Sequence, residues 1–128
     1  PAGAPEAAPP ANTLKSLEAT MWRLTLEPVE GNGKAFDETL RFGAGKERQL
    51  LLETLARTSG FVPGSYSTPH YDAESGGPIG FEATLNNAAG ESCTVSGKAT
   101  DKAAWGTLRI RKADWTLQVF RFRGSPGK

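Results

Sequence analysis

Short apolar or alternating runs recur from Met21 to Gly124, with breaks rich in glycine and polar residues between most of them. The runs begin near eight positions: Met21, Ala35, Arg48, Gly64, Ile79, Glu91, Ala104 and Trp115. Evenly spaced short strands with turn signals between them are typical of antiparallel sandwiches and barrels. We therefore predict an all-β fold, an antiparallel up-and-down barrel of about eight strands, which can enclose one small ligand.

Two segments predict something other than a plain strand. Asn12 is placed to cap a short helix through Leu14 and Leu17, which share one helical face. The leucine-rich segment 47–57 has strong helix propensity but also fits a period of two. We favour a strand there and keep the helix as the alternative.

The last two strands form a predicted hairpin with an irregularity. Leu108 and Ile110 are expected to pair with Leu117 and Val119. The alternation breaks at residues 119–122, which predicts a β-bulge.

The amino-terminal segment differs in composition from the rest. Residues 1–11 contain four prolines and five alanines, too little apolar surface to order themselves. We expect three parts, namely a disordered tether 1–12, a barrel domain 13–124 and a flexible tail 125–128. Tethers of this kind often follow the cleavage or lipid-attachment point of an exported bacterial protein, so we expect a periplasmic or cell-envelope location.

Charge is balanced overall but uneven along the chain. The net charge is +1, yet residues 105–128 carry six basic residues against Asp114 alone. We interpret this as an outward face of the last two strands and expect no nucleic-acid partner, because such partners call for basic residues interleaved with aromatics. No apolar stretch is long enough to form a membrane-spanning helix, so we expect no membrane span.

Residues that could carry catalysis are sparse. Cys93 is the single cysteine and His70 the single histidine, and they lie in different segments. Adjacent carboxylates at Asp37 and Glu38 point to opposite faces of a strand. Residues 43–46 lack the spacing of a phosphate-binding loop. We therefore expect a non-enzyme with no cofactor and no metal site.

The interior of the barrel is the remaining place for a function. Its side chains either fill the lumen or line a site for a small apolar ligand. The candidate lining residues are Trp22, Glu38, Phe42, Tyr66, Phe81, Trp105 and Arg109, with Phe36 and Trp115 as further aromatics and Glu82 as a further polar group. The alternative is an accessory subunit with a filled barrel that docks onto a larger cell-envelope assembly through a protein partner.

The chain resembles the calycins, the small up-and-down barrels that include lipocalins. The resemblance rests on the Leu14–Leu17 segment before a tryptophan-bearing first strand and on the basic last strand Phe120-Arg121-Phe122-Arg123-Gly124. It implies that Arg121 or Arg123 stacks on Trp22 and closes one end of the barrel by a cation–π contact.

The middle of the chain is also similar to a group of small exported bacterial β proteins. The shared pattern runs through Gly60-Phe61-Val62-Pro63 to Tyr66, then Phe81-Glu82-Ala83, Val95-Ser96-Gly97 and Gly106-Thr107-Leu108. This similarity implies the same fold and export from the cell, and it does not indicate a ligand.

Overall fold

The computed structural model describes residues 14, 16–30, 33–44, 48–68 and 77–127. Eight antiparallel strands form a closed barrel in which each strand pairs with the next and β8 pairs with β1. The strands are β1 (Met21–Pro28), β2 (Phe36–Phe42), β3 (Gln49–Leu52), β4 (Gly64–Ser67), β5 (Ile79–Asn86), β6 (Ser92–Ala99), β7 (Ala104–Arg111) and β8 (Leu117–Pro126). The predicted all-β barrel is confirmed, and each strand begins within two residues of its expected start.

Alternation of side chains explains why these segments are strands. In β5, Ile79, Phe81 and Leu85 are buried while the residues between them face outward. Closure of the sheet leaves no free edge, so the inward residues of all eight strands share one core.

The leucine-rich segment 47–57 contains both structures that its sequence allows. Leu50 and Leu52 point inward from β3 and pair with Phe42 and Leu40 of β2. A short helix, α1 (Glu53–Ser59), follows directly and buries Leu55. It ends at Gly60, whose φ of 75° is the left-handed conformation of a helix C-cap.

The helix expected at Leu14–Leu17 is absent from the described part of that segment. Ser16 and Leu17 are not helical, and Thr20 N–H donates to the Leu17 carbonyl in a turn that buries Leu17 in the core. Tertiary packing of Leu17 thus replaces helix formation. Asn12, the tether 1–12 and His70 lie outside the described residues.

The hairpin of β7 and β8 is regular, so the expected bulge and pairing are wrong. Leu108 lies opposite Phe120 and Ile110 opposite Gln118, in an uninterrupted register. Phe120 and Phe122 face inward and keep the alternation intact, which leaves Leu117 exposed. β8 continues two residues beyond the boundary at 124, since Ser125 and Pro126 pair with β1.

The core is filled by aromatic rings that pack over glycines. The Phe42 ring meets Tyr66 and Phe81 edge to face, with centroids 4.9 Å and 5.0 Å apart. Gly97 and Gly106 make room for a further ring, because a Cβ on either would lie 2.8 Å from Cζ of Phe122. Side chains therefore fill the lumen at the level of these rings.

Candidate functional site

The barrel has two different ends. We call the end where β1, β3, β5 and β7 finish the α1 end, since α1 lies in the β3–β4 connection there. The opposite end, which we call the far end, carries the segment before β1 and the β6–β7 turn. α1 contacts β2 and β3, so it covers one side of the α1 end.

Four of the predicted lining residues lie inside the barrel and are part of its packed core. They are Trp22, Phe42, Tyr66 and Phe81. Trp22 Nε1–H donates to Thr20 Oγ1 at 3.1 Å, and the Tyr66 hydroxyl donates to the Gly43 carbonyl at 3.4 Å. Burial, with a smaller effect of the Glu18 carboxylate, raises the pKa of Tyr66. These side chains fill the interior rather than line an open lumen.

Glu38 is also inside, and its carboxylate serves the helix. Only 2% of this residue is exposed. Oε1 accepts the backbone N–H of Thr39 at 2.7 Å and of Thr54 at 2.6 Å. Oε2 accepts the N–H of Leu55 at 2.9 Å. Glu38 thus satisfies two N–H groups in the first turn of α1, which has no cap from its own Leu52.

Trp105 and Arg109 point outward, so their expected inward orientation is wrong. In β7 the buried residues are Ala104, Leu108 and Ile110, and a period of two places 105 and 109 on the opposite face. Burial of three apolar side chains on one face of β7 outweighs burial of the single Trp105 indole, and it therefore decides which face of the strand points inward. Glu82 is likewise outward, and Trp115 lies 75% exposed in the β7–β8 turn.

The barrel closure that the calycin resemblance implies does not form. Trp22 points inward, whereas Arg121 and Arg123 are outward residues of β8, on the other face of the sheet. Among the described residues, the cation–π contact is instead Arg111 over Trp115, with the guanidinium carbon 5.6 Å from the ring centroid.

An open cavity of about 640 Å³ lies at the α1 end, between the end of β1 and the start of β8. Its apolar lining consists of Pro28, Val29, Phe36, Leu117, Val119 and Phe120, and its polar lining includes Glu30, Lys34 and Gln118. Phe36 and Phe120 are inward residues whose rings meet edge to face, with centroids 5.6 Å apart. The cavity is therefore the mouth of the barrel on this side, and its rim includes Leu117 and Val119, which are outward residues of β8.

Most residues of this cavity are not among the lining residues predicted from the sequence. Phe36 was among the expected aromatics, but Pro28, Val29 and Gln118 were not. The available signal was the pair of apolar residues Val29 and Leu117, which stand just outside the alternating part of their strands. Only closure of β8 onto β1 brings the two together.

Groups that could act in catalysis or bind a metal are buried or dispersed in the described part of the chain. Burial, with a smaller contribution from Glu38, raises the pKa of the Cys93 thiol to about 12, so the thiol is protonated at neutral pH. No cluster of three or more histidine, cysteine or acidic side chains occurs within the described ranges. No helix among those residues is long and apolar enough to cross a membrane.

Comparison of the chain with protein-family models, curated proteins and solved structures found no match.

Proposed function

We propose that this protein is a non-enzymatic, exported binding barrel that holds a small apolar ligand in the cavity at the α1 end. The observation that carries the proposal is the cavity of about 640 Å³ above the Phe36 and Phe120 rings. Its size lies in the ordinary range for small-molecule sites, which are concave and largely apolar.

The mouth suits a ligand better than the deep lumen does. Aromatic and aliphatic side chains fill the interior below it, with Phe42, Tyr66 and Phe81 in ring contact. An apolar body would lie on Phe36 and Phe120, and a polar group of the ligand would reach Lys34 or Glu30 at the rim. The closed eight-stranded barrel supports this role, since a barrel of this size can hold one small ligand. The proline- and alanine-rich composition of residues 1–11 supports a cell-envelope location.

A neutral apolar fluorophore, N-phenyl-1-naphthylamine, tests the proposal on the full chain. Binding is expected to raise its emission and to saturate. Gln118→Trp places a bulky side chain at an exposed inward position of the mouth and is expected to weaken binding at least about tenfold, since the ring occupies the cavity.

Gln49→Trp is the matched control, because Gln49 is an exposed strand residue at the far end. It is expected to leave the affinity unchanged. Absence of saturable binding, or equal weakening by both variants, would contradict a ligand site at the α1 end.

A second candidate, an accessory subunit that docks onto a larger assembly, is favoured by the distribution of exposed apolar residues. Four of the five large ones among the described residues lie at the α1 end, namely Val29, Val62, Trp115 and Leu117. Native mass spectrometry of protein from its source separates the two candidates, since a ligand site predicts a co-purifying small molecule and a docking module a partner chain.

A further inference from the structure

The outer face of β6, β7 and β8 is strongly basic, although the overall charge is nearly balanced. Five cations point outward from these strands, namely Lys98, Arg109, Arg111, Arg121 and Arg123. Outward positions of the same strands carry no carboxylate. None of the five forms an ion pair with another residue of the described ranges. We call this surface the basic face.

The strand register spreads the five cations without placing two of them directly opposite each other. Arg109 faces Thr94 and Val119, and Arg111 faces Ser92 and Leu117. Staggering avoids the destabilisation that like charges cause in directly opposed positions. Carboxylates flank the basic face on both sides, with Glu82 on β5 and Glu27 on β1. The outward cations of these three strands therefore form one strip, which Arg23 of β1 extends beside Ser125 of β8.

Each end of the strip carries an exposed tryptophan. Trp105 is 40% exposed and lies directly between Lys98 and Arg123 in the register. Trp115 stands in the β7–β8 turn with the Arg111 guanidinium over its ring. Its φ of 73° is a left-handed conformation that favours glycine, yet its indole is not packed into the core. The turn thus holds an indole in solvent in a strained conformation.

We infer that the basic face binds the anionic surface of a lipid bilayer, with Trp115 at the membrane–water interface. Anionic headgroups attract clustered lysine and arginine side chains, and tryptophan prefers the interfacial region. Apolar Leu117 and half-buried Val119 lie among the arginines on the same face, where a bilayer would offer them acyl chains to contact. A convex barrel touches a flat bilayer along a narrow strip, and the basic face has this shape. Leu117 and Val119 also line the cavity at the α1 end, so the tests below change arginines and Trp115, none of which lines that cavity.

Co-sedimentation with vesicles tests the inference. The full chain is expected to bind vesicles of equimolar phosphatidylcholine and phosphatidylglycerol, not vesicles of phosphatidylcholine alone, and to dissociate as salt rises. Arg109→Gln with Arg121→Gln is expected to lower the partition coefficient about fivefold for each arginine removed. The matched control, Arg48→Gln with Arg57→Gln, removes the same charge from exposed positions off the basic face and is expected to change it less than about twofold.

A second variant tests the indole. Trp115→Gly suits the left-handed backbone, so the fold is retained, and weaker vesicle binding is expected; Val62→Ser, an exposed residue off the face, is its control. Equal binding to both vesicle types, or equal losses in the two arginine pairs, would overturn the inference. So would binding of a thymidine oligonucleotide through Arg109 and Arg121 without vesicle binding, while unchanged binding of Trp115→Gly would overturn the role of the indole. The fluorophore assay measures binding in the cavity and co-sedimentation measures binding to vesicles. Either proposal can therefore fail while the other holds.

Discussion

Glu38 and Leu55 lie 17 residues apart and are joined by a hydrogen bond in which the Leu55 N–H donates to Oε2 of the Glu38 carboxylate at 2.9 Å. The other oxygen accepts the N–H of Thr54. A buried carboxyl group on β2 therefore anchors the first turn of α1 over the barrel. The sequence places this side chain among the candidate ligand contacts. In the structure, both of its oxygens are hydrogen-bonded to backbone N–H groups of the protein itself.

Replacement of Glu38 is expected to destabilise the protein strongly. Glu38→Leu leaves the N–H groups of Thr54 and Leu55 without their acceptor and should lower the free energy of unfolding by about 2–4 kcal/mol. Urea denaturation measures the change, and hydrogen exchange should show faster exchange in α1. Glu82→Gln, on the outer face, should cost less than about 0.5 kcal/mol. Equal costs in the two variants would contradict the capping role.

Gly106 is expected to tolerate no side chain. A Cβ there would meet Cζ of Phe122 at 2.8 Å and the backbone of the paired strand at Ser96 and Gly97, so neither neighbour can move freely. Gly106→Ala should lower the free energy of unfolding by about 1–3 kcal/mol, as overpacking does elsewhere. Ser96→Ala, at an outward position of the adjacent strand, is the control in the same denaturation experiment, and a neutral Gly106→Ala would refute the tight packing.

Trp115→Gly is expected to stabilise the isolated protein. The left-handed backbone costs a non-glycine residue about 1–2 kcal/mol, while the lost stacking on Arg111 is worth about 0.5–1 kcal/mol at an exposed site. The melting temperature should therefore rise. Ala113→Gly in the same turn has no positive φ to relieve and should lower it. A lower melting temperature for Trp115→Gly would show that the indole supports the fold.

The Cys93 thiol is expected to be unreactive in the native protein. Its pKa is raised to about 12 by burial from an ordinary value of 9.0, so iodoacetamide should modify it only after unfolding. The folded state holds the proton more tightly than the unfolded state, so the thiol's contribution to stability is complete below about pH 9 and falls as the pH rises towards 12. Cys93→Ala should show a smaller loss of stability in that window, and identical pH profiles would contradict the assignment.

The fold was largely accessible from the order of residues, and the candidate site was not. The eight strand starts follow from local alternation and turn residues, which act over short distances along the chain. The face of Trp105 was also available in principle, since Leu108 and Ile110 set the parity of β7. The cavity between Val29 and Leu117 was not, because these residues meet only when β8 closes onto β1.

Residue order specifies the number, spacing and facing of the strands here, because a period of two and the turn residues are local properties of the chain. Folding decides which residues become neighbours across the strands. It turns Glu38 from an isolated polar residue into the cap of α1, divides the leucine-rich segment between β3 and α1, and gathers five cations on one face. These outcomes depend on register and closure of the barrel, which bring together side chains that are far apart in the sequence.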